Sequence, residues 1–110
     1  MKKSTLLLAG MLSLSMFSIA NAKSYDVVLE NQATAGHTRL EPGEYHLKVE
    51  GSNAVFKNVR TAKEYTAPIT IQTADKKHDN TAVESNVKGS TEQIKAIELG
   101  GSRETLEFGD

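Results

Sequence analysis

The sequence predicts an all-β chain: a small antiparallel β-sandwich, or a partly open barrel, of about seven or eight short strands, preceded by a helical signal peptide. Three observations carry this. From Tyr25 onward, apolar residues recur at period 2 in short runs. Turn-forming residues separate those runs at the spacing usual for sandwiches and small barrels. No window after residue 22 holds the 3.6-residue period of an amphipathic helix, a heptad or an internal repeat.

Taken in order, Tyr25, Val27 and Leu29 alternate with Asp26 and Glu30 and form the first strand. After Leu40 comes Glu41-Pro42-Gly43-Glu44, with Pro preset for the second position of a turn and Gly able to take a positive φ at the third. Tyr45, Leu47 and Val49 then share one face of a strand, and His46, Lys48 and Glu50 the other. Gly51-Ser52-Asn53 is the next turn. In the segment from Ala54 to Arg60, Phe56 and the pair Val55/Val59 point to opposite faces, and a slip of one residue decides which set is buried. Phe56 is the expected core residue, because it brings its ring to the face of Tyr45, Leu47 and Val49.

Tyr65, Ala67, Ile69 and Ile71 align on the following strand, from Tyr65 to Gln72. Pro68 cannot donate a ladder hydrogen bond, so this strand is expected at an edge or interrupted there. The polar stretch from Thr73 to Asn80 reads as a long loop, the segment from Thr81 to Val87 as a weak strand, and Lys88 to Glu92 as a turn. In Leu99-Gly100-Gly101-Ser102 the Gly-Gly centre suits a tight hairpin, which makes Gly101 more sensitive to substitution than Gly89. Ile97 and Leu99 share a parity that Ile94 does not. An extra residue at Lys95 or Ala96, a β-bulge, would return Ile94 to the core face opposite Leu106. The expected core comprises Tyr25, Val27, Leu29, Leu40, Tyr45, Leu47, Val49, Phe56, Ile69, Ile71, Val83, Ile94, Ile97, Leu99, Leu106 and Phe108.

The first 22 residues have a different pattern. Lys2 and Lys3 precede an apolar stretch from Leu6 to Ala20, diluted by Ser13, Ser15 and Ser18 and closed by Ala20-Asn21-Ala22. That is a cleavable export signal, too short and serine-rich to span a bilayer, with cleavage expected between Ala22 and Lys23. Residues 23–110 then form one β-sandwich domain in the periplasm or outside the cell, with no membrane insertion after cleavage. The chain has no cysteine, so it has neither a disulfide nor the lipid-anchor Cys of a lipoprotein. Removing Lys2 and Lys3 takes Lys+Arg from 13 to 11 against 14 Asp+Glu, a net charge of −3. Such a surface gives no general attraction for nucleic acid.

Leu40-x-Pro42-Gly43-x-Tyr45, followed by alternating Leu47 and Val49, resembles the turn-and-strand signature of carboxypeptidase regulatory-like (transthyretin-like) modules, small β-sandwiches of many exported bacterial proteins. Together with Val49-Glu50-Gly51 and Leu99-Gly100-Gly101-Ser102, the segment from Pro42 to Tyr45 also resembles small exported β proteins of soil bacteria. Both resemblances imply an all-β fold, and neither brings catalytic residues.

Nor does the sequence itself point to an enzyme. It has no G-x-S-x-G elbow and no cysteine nucleophile. Gly100-Gly101 lacks the Lys-Ser/Thr of a phosphate loop. Asp75, Asp79 and Asn80 are interrupted by Lys76 and Lys77 and miss the calcium-loop spacing. No cofactor is expected. If the Pro42-Gly43 turn closes a hairpin, Leu40 faces Tyr45, Arg39 faces His46 and His37 faces Lys48. His37, Arg39, His46 and Lys48 then make one basic patch, able to hold an anionic envelope polymer or another envelope protein. The expectation is a non-enzymatic structural or interaction module. The alternative is a periplasmic metal-binding protein using His37 and His46, diagonal neighbours on the same face.

Overall fold

A computed structural model describes residues 23–109; the expected signal peptide lies outside the described residues. Nine strands and no helices are found in them: β1 (Tyr25–Leu29), β2 (Ala33–Ala35), β3 (Thr38–Leu40), β4 (Gly43–Glu50), β5 (Asn53–Asn58), β6 (Glu64–Thr73), β7 (Ala82–Lys88), β8 (Thr91–Glu98) and β9 (Glu104–Phe108). They hydrogen-bond in the order β1-β4-β5-β6-β9-β8-β2-β3, with β7 also on β8, and the path does not close into a barrel.

The sheet is mixed rather than purely antiparallel. β2 runs parallel to the start of β8, Ala33 to Ala35 lying beside Glu92 to Ile94. The chain leaves β1 and is brought alongside β8 by two bonds, Glu92 N–H to Gln32 O at 2.9 Å and Asn31 Nδ2 to Glu92 Oε2 at 3.2 Å. Parallel pairing of strands this far apart in sequence needs a long connection rather than a turn, and here β3 to β7 supply it.

β6 joins the two halves of the sheet. Glu64 to Pro68 pair with β5, and Ile69 to Thr73 pair with β9. Pro68 therefore marks a change of partner rather than a break, and the next amide, Ile69 N–H, reaches Ser52 O at 2.9 Å. On β8 the expected bulge is present. Glu84 faces Ala96 and Ser85 faces Ile94, leaving Lys95 as the extra residue. Ile94 and Ile97 are both fully buried as a result. Leu106 lies opposite Ile97 and Ile71, whereas Ile94 lies opposite Ala35 and Ser85, which corrects the expected partner.

One apolar cluster fills the interior. Tyr45 and Phe56 meet edge to face with ring centres 6.2 Å apart, and Phe108 lies 6.1 Å from Phe56. Phe56 is buried and Val59 is 47% exposed, so the register is the expected one. Of the expected core, Tyr25, Val49 and Val83 are only partly covered, though packed against the cluster. Ile71 is 38% exposed because the end of β6 runs past the core. Alanines complete the interior: Ala33, Ala35, Ala54 and Ala67 are fully buried where strands lie close.

Two turn expectations are corrected. Leu40-Glu41-Pro42-Gly43 does not close a hairpin: β4 is occupied on both edges by β1 and β5, and β3 pairs with β2. The segment is a corner that carries the chain from one part of the sheet to the other. Tyr45 fixes it, its hydroxyl donating to Glu41 O at 2.6 Å from a fully buried side chain. The second concerns the glycines. The two-residue hairpin is at Gly89-Ser90, closed by Lys88 and Thr91, with Gly89 at φ +65°. Gly101, at φ +80°, is the third residue of a β-turn inside a longer β8–β9 connection, where Ser102 N–H bonds Leu99 O at 3.1 Å. Both positions need a left-handed backbone, so the expected ranking of Gly101 above Gly89 has no structural basis.

Candidate functional site

The structure separates the four residues of the sequence-predicted patch. His37 is exposed in the β2–β3 turn and Arg39 is exposed on β3, whereas His46 and Lys48 point outward from β4. The two halves belong to different strand ladders because the hairpin that would join them is not formed. The proposed metal pair, His37 and His46, loses its diagonal contact for the same reason. Among the described residues no group of three or more His, Asp or Glu is placed to hold a metal ion.

His46 instead pairs with β1. Its Nδ1 lies 2.9 Å from Asp26 Oδ1, the residue opposite it in the ladder. The row continues to Lys57 and Glu64, so two basic residues in the middle are flanked by an acid at each end across four strands. A groove of about 320 Å³ over this face contains Lys48 and Lys57 but also Glu50 and Glu64. Its charges balance, which makes it a poor anion site.

A different element organises the β8–β9 connection. The polar stretch read as a loop is a strap stitched to the β8–β9 connection. Ala74 N–H donates to Arg103 O at 2.8 Å, His78 N–H to Ser102 O at 2.8 Å, and Gly101 N–H to His78 O at 2.7 Å. Gly100 N–H reaches Thr81 Oγ1 at 3.0 Å. The His78 ring, 15% exposed, has Nε2 3.1 Å from Thr105 Oγ1 and Nδ1 3.9 Å from Glu98 Oε1. Sequence reasoning passes over His78 because its neighbours are all polar, with no alternation to mark a paired segment.

The strap holds Lys77 against a cleft of about 550 Å³, a size typical of ligand sites. Tyr25, Val49 and Leu99 form its apolar side. Lys23, Lys77 and Arg103 supply three cations against the single carboxylate of Glu104, and Thr73 and Ser102 add hydroxyls. The Ser102 hydroxyl is committed, donating to Leu99 O at 2.9 Å and accepting from Glu104 N–H at 3.0 Å. The cleft thus combines positive charge, hydrogen-bond donors and an aromatic wall, with its serine proton already engaged. That combination suits binding an anion better than attacking a bond.

No family model matches the chain, and neither the curated proteins nor the solved structures contain a match. The site therefore rests on its own geometry.

Proposed function

We propose that this protein is an exported, non-enzymatic interaction module that holds an anionic polymer of the bacterial envelope at the cleft between Lys23, Lys77 and Arg103. One observation carries the reading: three cations meet one carboxylate at a roomy cleft of a chain whose residues 23–110 have a net charge of −3. Positive charge gathered locally against the overall balance steers and holds a polyanion, while the acidic remainder discourages binding elsewhere. Cleavage after Ala22 adds to this, since the new α-ammonium would stand on Lys23, itself a lining residue of the cleft. Processing would then complete the site.

The test is a pull-down of envelope material with the purified protein and with its Lys77→Gln/Arg103→Gln variant. Both side chains are exposed, so the fold should tolerate the change. Loss of the captured polymer in the variant is the expected result. Equal capture by both proteins would reject the cleft as the binding surface.

A further inference from the structure

β7 is an outer strand. Among the described residues it pairs with β8 alone. Its two-residue turn closes on Lys88 and Thr91. By alternation Lys88, Asn86 and Glu84 direct their backbone groups at β8, while Val87, Ser85 and Val83 direct theirs outward. Outward N–H and C=O groups are a template for one more strand. The half of β7 nearest the turn is the accessible half: Asn86, Val87 and Lys88 are all exposed, Val87 to 69%.

We propose that a second copy of this chain occupies that edge, its β7 pairing antiparallel with β7 about a twofold axis at Asn86. The charge pattern selects the occupant and the register. In Glu84-Ser85-Asn86-Val87-Lys88, antiparallel self-pairing centred on Asn86 sets Glu84 against the partner subunit's Lys88 and Lys88 against the partner subunit's Glu84. Both contacts fall at non-hydrogen-bonded positions, where facing side chains approach most closely. Val87 and Ser85 exchange the backbone bonds. Within the chain neither Glu84 nor Lys88 has an ion-pair partner among the described residues.

The other outer strands offer no such match. The only charged residue of β1 is Asp26, already beside His46. β3 carries only Arg39, and its Thr38 hydroxyl is bonded to Thr66 O at 2.9 Å. The dimer contact is independent of the cleft, which β7 does not line.

Sedimentation equilibrium of the purified protein tests this with two reversals and their mixture. Glu84→Lys places four lysines at the contact and Lys88→Glu places four glutamates, so each alone should weaken dimerisation by about tenfold or more. An equimolar mixture restores both ion pairs and should dimerise like the wild type, which also shows that each variant is folded. Val87→Pro should abolish the dimer, because it removes an N–H that points away from β8 and leaves the β7–β8 ladder intact. A wild type still monomeric at about 1 mM would overturn the proposal. So would reversals that dimerise as well as the wild type, or a mixture that stays monomeric.

Discussion

Replacing Gly100 by Ala should be far more damaging than a single methyl group suggests. A Cβ there would lie 2.7 Å from Thr81 N, 2.8 Å from Asn80 C and 3.0 Å from Asn80 Cα. All three atoms are backbone, so no side chain can rotate away. The strap must move by roughly an ångström before ordinary van der Waals contact is restored. Overpacking of this kind costs about 1–3 kcal/mol. Moving the strap also strains the Gly100 N–H bond to Thr81 Oγ1 and the Gly101 N–H bond to His78 O, each worth about 1 kcal/mol. With about half the worth of those two bonds lost, the total is about 2–4 kcal/mol, a fall in melting temperature of roughly 10–30 °C for a domain of this size. Gly101→Ala is the internal control. Its Cβ meets nothing within 4 Å, so the cost is only that of a non-glycine residue at positive φ, about 1–2 kcal/mol. Thermal denaturation of the two variants, with amide exchange across residues 76–81, reads the difference. If Gly101→Ala is the more destabilising of the two, or Gly100→Ala leaves strap exchange unchanged, the stitched strap is wrong.

Tyr45→Phe should cost about 1–2 kcal/mol in urea unfolding, because it removes the bond that fixes the corner before β4 and leaves Glu41 O short of a partner. Gly89→Val and Gly101→Val should lower the melting temperature by similar amounts, since both side chains would sit at positive φ. Ala62→Gly should raise stability by about 1 kcal/mol. Ala62 is the one non-glycine residue at positive φ among those described, at +65°, and its amide already bonds Asn58 O at 2.8 Å.

Much of the fold is legible from alternation alone. Phe56 falls on the right face because a strand buries one parity, and Tyr45, Leu47 and Val49 declare theirs. The bulge at Lys95 follows from Ile94 and Ile97 both needing cover. Pro68 does not interrupt β6; it stands where the partner changes, and nothing local to it shows that β9 takes over there. β2 escapes notice because three residues are too few for a period and Ala33 and Ala35 are too small to mark a core, while β3 is expected as a strand arm but with the wrong partner. The Pro42-Gly43 signal identifies a change of direction but not the pairing of the strands on either side of it. Whether those strands pair depends on β1, which claims the edge of β4 through contacts remote in sequence. That single topological choice dissolves the expected patch of His37, Arg39, His46 and Lys48. The cleft is illegible for the same reason: Lys23, Lys77 and Arg103 lie in distant segments, and Lys77 reaches the cleft only through the strap.

Location of the bound polyanion tests the central claim most directly. Titrating the isotope-labelled protein with inorganic polyphosphate while following backbone amide resonances reports where contact occurs. Saturable shifts at Tyr25, Lys77, Ser102 and Arg103 that fade as salt is raised are the expected result. Shifts confined to His46, Lys48 and Lys57, or none at any residue, would contradict it.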